Sequence, residues 1–411
     1  MKKIILSALA VMLLASVSSA GDDIGTALKN GKFSVDARVF YFNRNFDTTI
    51  AAKDRESLTA GATVGYVSDD FNGFKIGATY LTSNSLDIID RHRDRGTYNL
   101  SVADSTDINI VGEAYLQYNA EKLKIKVGRQ ILNTPLMSRD QARTLPTSYE
   151  AATIESSYIA NTTIELGYVN SMTGFGSAEF DGFDKVENEW GDNGLAYLYV
   201  TNKSVDKLAL RAQYVRPLSD DYKNAGVTTK VAVEDYKYFD LKYSLPFGKN
   251  TYFSANYAGN NYESLDDSMM LGAKVGTTLG MFNLYATYVQ IFDNRWQNIE
   301  DEAMFTSWQQ GYLTFGPSKG LGVSASFKPM KDLSVLTRVV NVSADDFSSN
   351  AVGTGKNYAN DFTEFNIDST YVFNDWSKVR VRFSDKDFTS AANDSGQLDV
   401  QDFRIMYYIY F

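Results

Sequence analysis

The 411-residue sequence contains no cysteine, one histidine and only six prolines. Without cysteine there is no disulfide framework and no thiolate metal site. An exported form must therefore be held by its own hydrogen bonds and packing. The single histidine, His92, excludes a histidine-rich metal site, and no cofactor is expected. It lies in an Arg-His-Arg-Asp-Arg run in the long connection 84–107, with Asp90 and Asp94 close by. A catalytic pair there would need His92 as its base. A solvated charged loop explains the same run more simply, and no enzyme is expected. Basic residues are also short, 40 against 50 acidic. Nucleic-acid binding needs clustered cations to release counterions, so such a partner is not expected. After residue 20 no apolar run approaches the length of about 18 residues that a spanning helix needs.

The one apolar run is at the start, MKKIILSALAVMLLASVSSA. Lys2 and Lys3 form a charged head, Ile4 to Ala15 a short apolar core, and Ser18 and Ala20 the small residues of a cleavage site. This pattern is that of a secretory signal peptide over 1–20, with a mature chain from near Gly21. Removing Lys2 and Lys3 leaves 38 basic against 50 acidic residues, a mature net charge near −12.

What the chain has in abundance is Tyr (27) and Phe (25). Both favour strands. From Lys32 onward one unit keeps returning: about ten residues of period-2 alternation, then a turn. Eighteen such segments are found: 33–42, 57–67, 73–83, 108–118, 122–130, 148–157, 161–171, 193–201, 206–216, 235–245, 249–259, 269–277, 281–291, 318–328, 332–343, 361–373, 376–388 and 400–411. Each has about the length a tilted strand needs to cross a bilayer. Every second connection is two to five residues long, as at 68–72, 119–121, 246–248 and 374–375, while the others are longer. Short turns on one side and long loops on the other describe a transmembrane antiparallel β-barrel, an all-β fold with periplasmic turns and extracellular loops. A soluble sandwich has no reason to alternate in this way.

The faces agree. The fifth segment sets Leu123, Ile125 and Val127 against Lys122, Lys124 and Lys126; the seventeenth sets Val379, Val381 and Phe383 against Lys378, Arg380 and Arg382. A face this charged must meet water, so the predicted lumen is wet, as barrels of 16–18 strands allow. The last segment ends Phe403, Ile405, Tyr407, Ile409, Phe411 on one face. A terminal aromatic on an amphipathic last strand resembles the assembly signal of outer-membrane barrels. It also lets the last strand close on the first.

If they close, inward parity gives the lumen Arg38 from the first strand, Arg380 and Arg382 from the seventeenth and Arg404 from the last. Counted from the strand ends, these four sit at similar middle heights, with Arg44 nearer the outer mouth. Such a column would bind carboxylates through planar, permanently charged forks. The plainer alternative is wall salt bridges, with Glu364 and Asp368 neutralising Arg380 or Arg382. One stretch, 131–147, breaks the strand pattern. Pro135 and Pro146 stiffen it, and Arg139, Asp140 and Arg143 charge it. Sequence physics alone leaves open whether it folds into the lumen.

GRQILNTPLMSRDQARTLPTSYEA resembles the third-loop signature of the OprD-like outer-membrane porins at Gly128, Gln130, Thr134, Pro135, Leu136, Asp140, Arg143, Leu145, Pro146, Tyr149 and Glu150. The opening strand resembles that family's first strand at Arg38, Tyr41, Phe42, Asn43 and Arg44. The resemblance implies an 18-stranded channel with its third loop folded inward and tipped by Pro135, Arg139, Asp140, Arg143, Pro146 and Tyr149. It also implies an arginine ladder, matched here by Arg38, Arg44, Arg380, Arg382 and Arg404, that guides carboxylate-bearing solutes. Arg129 has outward parity unless Gly128 makes a bulge. The loops depart from this picture: Glu179, Asp181, Asp184, Glu187, Glu189, Asp192, Glu300, Asp301 and Glu302 would repel anions at low salt.

The reading that follows is one β-barrel domain over 21–411 in the outer membrane of a Gram-negative bacterium. It would pass organic acids, amino acids and ions by diffusion. Its expected partners are outer-membrane lipid and lipopolysaccharide, the barrel assembly machinery, small solutes and, from related porins, a homotrimer. A cation-leaning general porin and a plugged barrel serving as adhesin or scaffold remain as alternatives.

Overall fold

Alternating side chains leave an isolated strand with one apolar and one polar face. A barrel satisfies both faces at once, lipid outside and water inside, and leaves no strand edge unpaired. The computed structural model describes residues 21–46, 54–91, 107–139, 144–173, 181–182, 193–218, 233–262, 266–293, 296, 299, 305, 317–344, 347–348, 357–358, 361–388 and 399–411. After a helix α1 (Gly21–Lys29) come β1 (Lys32–Phe46), β2 (Arg55–Val67), β3 (Phe74–Arg91), β4 (Ile108–Asn119), β5 (Leu123–Gln130) and β6 (Ser148–Ser156). Next are β7 (Thr162–Thr173), β8 (Leu195–Asn202), β9 (Leu208–Pro217), β10 (Val233–Ser244), β11 (Lys249–Tyr262) and β12 (Ser268–Leu279). The wall finishes with β13 (Phe282–Asp293), β14 (Ser318–Met330), β15 (Leu333–Ala344), β16 (Phe362–Asn374), β17 (Ser377–Phe388) and β18 (Val400–Tyr410).

Each strand pairs antiparallel with the next. The main sheet has 19 strands; one of them, the two-residue Asp181–Gly182, pairs only with β7, and the other eighteen form the wall. The ring closes between β1 and β18, where Arg38 faces Tyr408 and Arg44 faces Asp402. Val35 and Phe411 exchange two backbone hydrogen bonds of 2.9 Å at the foot of this seam.

Val39, Ile76, Val127, Leu166, Val275 and Val339 are exposed on the outer face, as a lipid-facing band requires. Aromatic pairs such as Phe74–Tyr118 and Phe282–Phe327 stand at the short-turn rim, with ring centroids 4.8 and 5.2 Å apart. Helix α1 docks at that rim: the Asp69 amide donates to Ala27 O and the Tyr66 hydroxyl to Leu28 O.

Three features depart from the sequence expectation. Helix α1 occupies residues that precede the first strand signal. β3 runs to Arg91, well past its expected end, because a bulge between Ser57 and Thr59 lets Asp90 and Arg91 resume pairing with β2. The inward face is not polar throughout, either. Met270, Val289, Ile291, Val340 and Val342 have inward parity yet are buried in one apolar cluster with Leu136, Met137 and Trp296 from inter-strand connections. Chain folded into the barrel covers those positions, so apolar side chains are favoured there.

Candidate functional site

The register places the charged wall. On β17, β18 and β1, one inward row is Ser384–Asp402–Arg44, the next Arg382–Arg404–Phe42, then Arg380–Met406–Phe40, then Lys378–Tyr408–Arg38. The five arginines thus climb four successive rows. The single height expected for Arg38, Arg380, Arg382 and Arg404 is corrected by the stagger of neighbouring strands, which counting from strand ends ignores. β1 begins four residues before Asp36 meets Tyr410, and this lowers Arg38 relative to the others.

Carboxylates are built into the same wall. Asp402, fully buried, accepts from Arg44 at 2.7 Å and from Arg404 at 2.6 Å. Asp368 on β16 accepts from Arg380 Nε at 2.8 Å and lies 3.4 Å from Arg382. Asp36 accepts from Arg38 at 3.1 Å. Of the two neutralising candidates, Asp368 meets both arginines, while Glu364 faces Lys386 across the ladder. Among the described residues these five guanidiniums therefore meet three carboxylates. Aromatic faces take up part of the remaining charge. Phe42 has Arg44 at 5.3 Å and Arg404 at 5.4 Å from its ring centroid, and Arg38 lies 4.8 Å from that of Tyr408. Phe40 and Phe42 are buried on the inward face of β1, while Val39 of the same strand is exposed on the outer face. Because both faces of this strand carry apolar residues, period-2 alternation did not flag the two phenylalanines as lumenal.

The stretch after β5 crosses between opposite walls. Leu136 N donates to Gln213 Oε1 at 2.9 Å, and Gln213 Nε2 donates to Thr134 Oγ1 at 2.8 Å. Gln213 is buried on the inward face of β9, between half-buried Ala212 and exposed Tyr214. At the other end, Thr144 Oγ1 lies 3.5 Å from Thr59 Oγ1 on the inward face of β2. The Thr144 methyl occupies the space a Cβ on Gly61 would need. The signature residues fold this segment. Thr134 closes a turn on Met137, and the Tyr149 hydroxyl donates to Ser138 O at 2.8 Å. Pro135 and Pro146 are buried. Arg139 is exposed and lies within electrostatic reach of Tyr410 at the low end of β18. Asp140 and Arg143 lie outside the described residues, as does His92.

Gly128 makes no bulge. β5 pairs without a register shift, and the extra residue is Gly112 on β4, between Glu113 opposite Thr79 and Val111 opposite Tyr80. Arg129 keeps its outward parity and bonds Val111 O and Glu150. The left-handed Gly128 (φ 120°) lets Ala114 O approach where a Cβ would stand. A second connection, between β13 and β14, also enters the barrel. Trp296 is fully buried, and Phe305 O accepts from inward-facing Arg338 on β15.

The OprD family profile, described as an outer membrane porin family, matches residues 28–318. Among solved structures, Pseudomonas aeruginosa OccK9 (OpdG) superposes with TM-score 0.77 at 16% identity, covering 94% of this chain and 99% of that one. Acinetobacter baumannii OccAB4 gives 0.73 at 17% identity, with 93% and 98% covered. Pseudomonas aeruginosa OpdK, solved with vanillate, gives 0.73 at 14% identity, with 93% and 99% covered. No curated protein sequence matches the chain.

Proposed function

The chain belongs to the OprD family of outer membrane porins, and from that premise we propose how its lumen selects solutes. As a porin of the Gram-negative outer membrane it forms a water-filled channel for diffusion of small hydrophilic solutes. Our reading is that residues 131–147 set the bore, and that the arginine ladder, with Arg139 facing it, draws small carboxylates through. One observation carries this reading: among the described residues, five guanidiniums on adjacent strands meet three carboxylates, a net positive wall. Each shared carboxylate fixes two planar forks while satisfying only one charge. A passing carboxylate then replaces lost water with charge-assisted hydrogen bonds. Vanillate, bound in OpdK, is itself a carboxylate.

The proposal keeps 1–20 as a cleaved signal peptide and reads β18 as the strand recognised by the assembly machinery. A homotrimer remains part of it, tested by sedimentation in detergent. The test of selectivity is the reversal potential in a KCl gradient across a planar bilayer. Replacing Arg380 and Arg382 together by Ala should lower the anion-to-cation permeability ratio; an unchanged potential would remove the ladder from the account. A wild-type channel that prefers cations would favour the general-porin alternative suggested by the acidic loops. A barrel without ion conductance would favour a scaffold.

A further inference from the structure

Across the lumen from the ladder lies a second group of cations, built differently. Lys242 on β10, Ser254 on β11 and Lys274 on β12 stand in one inward row. The two lysines are two strands apart, about 10 Å between backbones, with only a hydroxymethyl group between them. Lys242 lies 4.3 Å from the ring centroid of Tyr252, and Lys274 lies 4.2 Å from that of Tyr285. Both rings come from the next row down, where Gly276 leaves room between them. Phe305 roofs the site; its ring edge would come within 3.2 Å of a Cβ on Gly272, and it lies 6.0 Å from Lys274. Lys242, Ser254, Lys274, Tyr252 and Phe305 line a cavity of about 440 Å³.

The contrast with the ladder is in charge balance. Every ladder arginine touches a carboxylate. Arg211, at the margin of this second site, is also held by Asp240, at 2.9 and 3.0 Å. Among the described residues, Lys242 and Lys274 have aromatic faces but no carboxylate within ion-pair distance. They act on each other electrostatically, and Arg338 acts on Lys274 as well. Two like charges kept together over a hydroxyl, with no carboxylate of the described residues in ion-pair distance of either, are stabilised by an anion that enters from outside. A monocarboxylate satisfies one of them; a diacid satisfies both. Lys242 is two residues from the end of β10, so the site lies near the short-turn mouth.

We propose that Lys242 and Lys274, with Ser254, form a binding site for a small dicarboxylate near the periplasmic exit of the channel. The site rests on the porin reading. It receives diacids beyond the 131–147 constriction, holding one carboxylate on each ammonium and aliphatic carbons against Phe305 and Tyr252.

The test is inhibition of single-channel KCl current by succinate at fixed ionic strength, with acetate as the one-carboxylate control. Wild-type channels should be inhibited at succinate concentrations well below those of acetate. Replacing Lys242 and Lys274 by Gln should raise the half-inhibitory concentration of succinate about tenfold or more, and Lys→Arg at both positions should restore it. Equal effects of succinate and acetate on the wild-type channel overturn the site. So does a Gln variant with wild-type sensitivity. If the Gln variant fails to insert, the wild-type comparison decides alone. A wild-type protein that carries no current at all refutes the porin reading, and the site falls with it. A conducting channel indifferent to succinate refutes only the site.

Discussion

Asp402 and Asp368 each hold two guanidiniums inside the barrel wall, and the two aspartates do different work. Asp402 is fully buried, with both oxygens used by Arg44 and Arg404. Asp402→Asn leaves two neighbouring cations without their buried anion. The expected loss is about 3–5 kcal/mol, read as a lower urea midpoint for unfolding from lipid vesicles. Asp36, about a quarter exposed, accepts from Arg38, and Asp36→Asn should cost under about 1 kcal/mol. Asp368 bears on selectivity. Asp368→Asn removes one negative charge beside Arg380 and Arg382, so the reversal potential should move toward greater anion preference. A move toward cations would mean those arginines do not face the permeation path. The parity of all five arginines could be read from alternation with exposed apolar neighbours. Their pairing could not: Asp402 is adjacent to Arg44 only through closure of the ring, and the two are 358 positions apart in sequence.

The strands were legible as elements because each must alternate to separate lipid from water, and the turns and loops between them break that alternation. The exceptions have physical causes. β3 extends through a bulge that no local pattern announces, and the outer halves of β12, β13 and β15 turn apolar inward because inserted chain covers them. The stretch 131–147 stood out as non-strand, yet its crossing depends on contacts with β2 and β9 that are distant in sequence. Gln213 fixes the far end. Gln213→Ala leaves the buried Leu136 amide without its acceptor, at a cost of about 1–3 kcal/mol. The expected readout is a larger and noisier single-channel conductance; a smaller conductance would count against a constricting role. Gly61 fixes the near end. Gly61→Val places side-chain atoms where the Thr144 methyl and Thr82 O stand, so the segment must shift, again changing conductance. Trp296 and Phe305 lie between β13 and β14, where alternation gives no direction, since a buried aromatic can cover a lumen as well as a loop core.

At the scale of the whole molecule, a closed wall excludes lipid while its lumen holds a net positive ladder inside a chain of net negative charge. Those two fields act over different distances. At 0.1 M salt the screening length is about 10 Å, and at 1 M about 3 Å. Wide parts of the path should lose selectivity as salt rises, while contacts at the ladder persist. The permeability ratio is therefore expected to fall toward, but not reach, unity between 0.1 and 1 M KCl. The most direct measurement is uptake by liposomes carrying the purified protein, comparing a small carboxylate, a small amine and a neutral sugar of similar size. The account predicts fastest entry for the carboxylate, with its advantage reduced when Arg380 and Arg382 are both Ala. Equal rates for the three solutes, or fastest entry of the amine, would contradict it.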